Sequence, residues 1–140
     1  MNASSGALVK SYKIENAAGV TQYAAVVQGA NADGNCKLPT AANAKGFLGF
    51  TLEAQPNQLK GVAVQKTGIA RAVANGAITR GDRLAIASVA GDVKSVEAIV
   101  TAGPGIASTN EVVGRAEESA VTGQIFAVFV NPETVPIAVS

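Results

Sequence analysis

The sequence predicts an all-β protein, a small β-barrel or β-sandwich of short antiparallel strands, and three observations predict it. From Gly61 to Val93, short apolar runs are punctuated by Thr67-Gly68, Asn75-Gly76, Gly81-Asp82 and Gly91-Asp92. Gly, Asn and Asp tolerate the positive φ angles that tight reversals need. No stretch between those turns carries an apolar stripe at helical period, which leaves room for at most one short helical turn. The composition agrees: 48% hydrophobic but only 4% aromatic, with 15 glycines in 140 residues, suits a small barrel or sandwich.

Residues 1–14 read as a flexible N-terminal arm and residues 15–140 as a single β domain, because the first ten residues are mostly small and polar. Thr21 to Gln28 is the first strand, with Tyr23, Ala25 and Val27 on one face. Gly29 to Gly34 is a polar loop, and Cys36 to Leu38 a short strand stopped by Pro39. Thr40 to Lys45 is the candidate helical turn, capped by Thr40 and ended by Gly46. Phe47 to Glu53 is a strand, and Val62 to Gln65 with Ile69 to Ala74 read as a hairpin.

In that hairpin Ala70, Ala72 and Ala74 share a face made only of methyl groups, against which another sheet or chain can pack closely. Asn75 to Asp82 is a corner with Ile78 plugged into the core. Arg83 to Ala87 and Asp92 to Val100 are strands, Thr101 to Asn110 a loop, and Glu111 to Glu117 and Gln124 to Asn131 close the domain. Phe126, Val128 and Val130 lie on one face of the last strand and Ile125, Ala127 and Phe129 on the other. A strand apolar on both sides is central in a sandwich or covered by another subunit. Ala70, Ala72, Ala74, Phe126, Val128 and Val130 are therefore the expected subunit interface. Pro132 and Pro136 are expected to end regular pairing. Residues 47–64 and 112–128 echo each other as two similar hairpins, each an apolar pair, Gly, a polar spacer and a β run.

Composition narrows function. Net charge is +1 without a basic block, which argues against nucleic acid, since phosphate neutralisation needs several convergent cations. The N-terminus lacks a basic and an apolar signal region, and no window approaches a membrane span, so a soluble product made in a cytosol is expected. Cys36 has no partner in the chain, so the fold does not depend on an oxidising compartment.

Histidine is absent, and with it the commonest general base. Lys94 and Ser95 are adjacent on a strand and point to opposite faces. Asp82 and Asp92 follow glycines and read as turn residues. Asn31, Asp33 and Asn35 resemble the opening of a calcium loop without its closing glutamate, so a plain loop is expected and no metal. Arg80-Gly81-Asp82 spells an adhesion tripeptide whose Gly-Asp already has a turn role, and Gly103-Pro104-Gly105 is too short for a phosphate loop. No catalytic residue, cofactor or enzymatic activity is expected.

The segments LPTAANAKGFLGFTLE (38–53), GVAVQKTGIARAVANGAITRGDRLAI (61–86) and VVGRAEESAVTGQIFAVFVNP (112–132) resemble the capsid decoration, or cement, proteins of tailed bacteriophages. The likeness spans about residues 20–132. It implies a homotrimer on the outer face of an icosahedral head, at threefold or quasi-threefold positions, clamping neighbouring copies of the major capsid protein against internal DNA pressure. It also implies an arm reaching onto the capsid, for which Leu8, Val9, Tyr12 and Ile14 are the expected anchors. The implied location is the outer surface of the virion. The alternative is a carbohydrate- or host-surface-binding β module of a virion fibre.

Overall fold

The computed structural model describes residues 7–97 and 109–136, and every complete element among them is a β-strand. In chain order these are β1 (Val9–Ile14), β2 (Ala25–Gln28), β3 (Asn35–Lys37), β4 (Phe47–Thr51) and β5 (Gly61–Gln65), then β6 (Gly68–Val73), β7 (Arg83–Ile86), β8 (Val93–Ser95), β9 (Thr109–Ala116) and β10 (Ile125–Pro136). β1 to β5 close into a barrel in the order β1-β3-β2-β4-β5, and β6 to β10 form a second sheet in the order β6-β10-β9-β7-β8. Pairing is antiparallel except between β1 and β3.

The second sheet repeats the first, strand for strand. β1 pairs with β5 through Val9↔Gln65 and Tyr12↔Val62, and β6 pairs with β10 through Ile69↔Phe129 and Ala72↔Phe126. Val26↔Gly49 corresponds to Leu84↔Gly114, and Gln28↔Cys36 to Ile86↔Val93. The turns repeat as well. The amide of Tyr23 donates to Thr51 O as that of Gly81 donates to Ala116 O, and the reciprocal bonds of Val20 with Gln55 recur between Ile78 and Ala120. Even the parallel closure Ile14↔Cys36 has a counterpart, the single bridge Ala74↔Val93. The 47–64 and 112–128 echo is thus the visible part of a duplication that spans both halves.

Each half fills its interior differently. At the equivalent pairs Tyr12↔Val62 and Ala72↔Phe126, the large residue lies on the first strand in one half and on the last in the other. A dense core requires only that facing volumes sum correctly, so the two arrangements are interchangeable. Tyr12, Ile14, Val26, Val62 and Val64 fill the first barrel. Ala25, Val27 and Phe50 of the first half join Ala72, Leu84, Phe126 and Val128 of the second in one cluster, which welds the halves into a single packed body.

Close approach explains two glycines. A Cβ on Gly49 would lie 2.2 Å from Gln65 O, and one on Gly114 would lie 2.2 Å from Phe129 O, at equivalent positions of the two halves.

Several expectations are corrected. Residues 9–14 are not an arm: they are barrel strand β1, hydrogen-bonded along both edges to β5 and β3, so an arm boundary at residue 14 does not hold. Residues 1–6 lie outside the described residues. Thr40 to Lys45 is not helical, because Asn43 at φ 59° takes a left-handed conformation that breaks a helical turn. The expected 62–65/69–74 hairpin does not form. The chain crosses between sheets there, and the Gln65 side-chain amide donates to Thr67 O and Ile69 O across the corner.

Tyr23 belongs to a turn, at φ 63°, and not to the first strand. β10 runs past Pro132 to Pro136, because the register shifts between Val130 and Glu133 and the proline falls in that irregularity, where no ladder donor is required. Ile78 is buried as expected. The expected loop at 101–110 and the strand end at 98–100 fall largely outside the described residues.

Candidate functional site: the outward face of the β6–β10 pair

Ala70, Ala72, Ala74, Phe126, Val128 and Val130 do not form a subunit interface: all are buried in the core of their own chain. The methyl face exists because Phe126 stands directly opposite Ala72 and fills the space that a larger side chain on β6 would need. The opposite face of the same two strands is the exposed one. Ile69 is 54% exposed, Ile125 51% and Phe129 42%. Direct pairing sets Phe129 beside Ile69 and Ile125 beside Val73, with Arg71 beside Ala127 between them. The result is a continuous two-strand apolar stripe with one guanidinium at its centre.

The duplicated half shows that the fold does not require this. The equivalent outward positions on β1 and β5 are Val9 with Gln65, Ser11 with Ala63, and Lys13 with Gly61, in the same register. Three pairs of the same geometry are mostly polar or small in one half and apolar in the other. Large apolar side chains left in water on a face that folds without them make it the candidate contact surface.

The expected arm anchors divide. Tyr12 and Ile14 are buried in the first barrel, whereas Leu8 and Val9 are exposed at its rim. Leu8 is fixed there by its amide donating 2.9 Å to Thr67 Oγ1 and its carbonyl accepting from the Lys66 amide.

The residues weighed for chemistry have local roles. Asp82 Oδ2 accepts from the Thr79 amide, and Asp92 accepts from Ser88 Oγ at 2.6 Å and Asn75 Nδ2 at 3.1 Å. The Arg80-Gly81-Asp82 carboxylate is therefore folded into its own turn. Asn35 turns its amide to Glu15, whose carboxylate also accepts from the amides of Ala30 and Asn31. These bonds, the Asn35 bond first, hold the Glu15 carboxyl below its ordinary range. Arg83 grips Glu97 through Nε at 2.9 Å and Nη2 at 3.0 Å, which lowers the Glu97 pKa to about 2. Burial pushes the Cys36 thiol up to about 11, so it is a packed side chain and not a nucleophile at neutral pH. Gly103-Pro104-Gly105 lies outside the described residues. An open apolar recess lined by Val20, Leu38, Pro56 and Ala90 holds no charged side chain.

No protein-family model and no curated protein sequence matches this chain. Among solved structures it is similar to the N base of the head fiber gp8.5 in bacteriophage phi29. The likeness has a TM-score of 0.61 at 16% identity and covers 89% of this chain and 94% of that one. At that identity what is shared is the fold, over nearly the whole of both chains.

Proposed function

We propose that this chain is a structural protein of a phage head, acting through contact area and without a catalytic step, and that it self-associates through the outward face of β6 and β10. The observation that carries the reading is the apolar stripe of Ile69, Ile125 and Phe129, on a fold shared with the base of a phage head fiber. Covering each of those side chains contributes about 1–2 kcal/mol, so a small contact adds up. Arg71 in the middle favours a ring over a twofold pair, since a twofold contact centred on the stripe sets Arg71 against its own copy. A threefold ring is the arrangement in line with the cement-protein resemblance. Such a trimer on the outer virion surface would engage several copies of the major capsid protein at once, so that weak single contacts become durable attachment.

The test is mass in solution for the wild type and for Phe129→Lys, followed by binding to emptied phage heads. A trimer that Phe129→Lys converts to a folded monomer supports the reading. A wild type that stays monomeric at high concentration refutes self-association, and clear binding on a glycan array in place of heads would move the assignment to a carbohydrate-binding fibre module.

A further inference from the structure

One end of the first barrel carries a cluster with hydrogen-bond donors to spare. Lys10, Tyr12 and Ile14 share the inward face of β1, and Tyr12 and Ile14 are buried, so the same alternation carries Lys10 to the barrel mouth. Lys66 follows Val62 and Val64 on the inward side of β5 and arrives at the same mouth. Its Nζ donates 2.5 Å to Tyr12 Oη. The Lys66 nitrogen is 5.2 Å from the ring centroid, which places it end-on to the phenol and not over the ring. Lys10 Nζ is also 5.2 Å from that centroid.

Two ammonium groups thus converge on one phenol. Among the described residues the sole ion pair is Arg83–Glu97, so neither ammonium has a carboxylate. With its oxygen accepting from Lys66, Tyr12 has its own hydroxyl proton left to give, and Lys66 retains further donors.

The duplication supplies the control. The positions equivalent to Lys10, Tyr12 and Lys66 are Ala70, Ala72 and Val130, all apolar and buried. They are sealed in a core to which the first half lends Ala25, Val27 and Phe50. Among the described residues, nothing plays that sealing part for the first half. The fold does not need charge at this mouth, yet here it concentrates like charges that repel until an anion arrives.

We propose that the Lys10–Tyr12–Lys66 mouth binds a carboxylate, and that its source is an acidic side chain of a partner protein. A carboxylate seated there would accept from Lys66, from the Tyr12 hydroxyl and from Lys10 together, which makes charge-assisted bonds of the stronger kind. Leu8, 56% exposed at the rim beside the cluster, offers an apolar contact that suits a peptide and has no use for a free ion. Two cations are too few for a nucleic-acid backbone. That the partner is the capsid protein rests on the reading above; the carboxylate site does not.

The experiment is backbone-amide and tyrosine-ring NMR of the full chain, titrated with acetyl-Leu-Glu-amide, acetyl-Leu-Gln-amide and inorganic phosphate. The glutamate peptide is expected to shift Leu8, Tyr12 and Lys66 saturably, and the glutamine peptide to leave them in place. Lys66→Gln should weaken the glutamate peptide about tenfold, the loss of one charge-assisted bond. Tyr12→Phe, which keeps the ring, should weaken it by less. Absence of shifts, shifts that Lys66→Gln leaves unchanged, or phosphate binding as tightly as the peptide would each overturn the proposal. If the peptide binds while Lys66→Gln chains still occupy phage heads normally, the site stands and its link to capsid attachment falls.

Discussion

The two halves of this chain are the same set of strand pairings executed with different residues, and each difference separates what the fold demands from what it merely allows. The fold demands a glycine where β4 or β9 crosses under its neighbour, at Gly49 and Gly114. It demands an apolar plug at the turn before β2 or β7, supplied by Val20 and Ile78. It does not demand a continuous stripe of large apolar side chains on the outer face of β6 and β10, since the first half has only Val9 of that size at the equivalent positions, nor ammonium groups at the mouth of the first barrel, which the second half omits. Those two departures are the candidates for function.

The largest test of the duplication concerns the exchanged core pair. Phe126→Ala should destabilise by about 3–5 kcal/mol, since a fully buried ring is lost and a cavity remains. Ala72→Val alone should cost about 1–3 kcal/mol by overpacking against Phe126. Combined, the two should cost less than their sum, because the new valine enters the space the ring has left. Chemical denaturation of the single and double variants measures the coupling; strict additivity would mean that the facing volumes do not compensate and that the mirrored packing is incidental.

A smaller effect belongs to the second half alone, where the Arg83–Glu97 pair stands at the end of β7 and the position equivalent to Arg83 in the first half is the buried Ala25. The folded pKa of Glu97 is about 2 against an ordinary 4.5. A depressed carboxylate stabilises the fold above its unfolded pKa, and that contribution disappears as pH falls from 4.5 towards 2. Solvent screening at a side chain one-third exposed reduces the full linkage value to about 1–2 kcal/mol. Glu97→Gln should therefore lower Tm at pH 7 and flatten the acid limb of a Tm-versus-pH curve. An unchanged acid limb would show that this pair contributes nothing to the acid sensitivity.

The same comparison explains which parts of the fold were legible. The Gly81-Asp82 turn of the second half is legible because glycine occupies its left-handed position, at φ 94°, and Gly123 takes the same conformation at φ 88°. In the first half the equivalent positions hold Tyr23 at φ 63° and Leu59 at φ 62°, so the first turn was hidden inside an apparent strand. The Ala70-Ala72-Ala74 face read as an interface because sequence spacing cannot reveal that Phe126 stands opposite. The site residues Tyr12 and Lys66 are 54 positions apart and meet only through strand register. The hairpin echo is the trace of the duplication in the sequence, and on β1 and β6 the polar-to-apolar change of the outer face lies outside the residues it pairs.

That difference in turns can be exchanged. A left-handed conformation costs a side chain about 1–2 kcal/mol that glycine avoids, part of which glycine returns through its freer unfolded chain. Leu59 is exposed, so Leu59→Gly should raise stability by about 0.5–1 kcal/mol. Gly123→Leu should lower it by about the same amount, since nothing lies within 4 Å of the added Cβ and the effect is purely conformational. Loss of stability in Leu59→Gly would show that its side chain packs more than its exposure indicates.

The smallest expected effect is the sharpest comparison, because the two halves hold the same loop with the same chemistry reversed. Glu15 lies just after β1 and accepts from Asn35 at the base of β3; Asn75 lies just after β6 and donates to Asp92 beside β8. The acid and the amide have changed places across one structural position. The first arrangement adds the amides of Ala30 and Asn31 to the same carboxylate, and those bonds lower its pKa. A lowered carboxyl stabilises above its ordinary 4.5 and loses that contribution as pH falls below it. Glu15→Asn with Asn35→Asp would install the second-half arrangement in the first half. The shorter side chain at 15 should free the 29–34 loop while keeping the barrel, read as faster amide exchange at Ala30 and Asn31 at neutral pH. Single Glu15→Gln should produce the same local opening and lose its difference from wild type once the pH is low enough to protonate Glu15. If exchange at those two amides is unaffected in either variant, the carboxylate does not hold the loop, and the reversed pair is a coincidence of two turns.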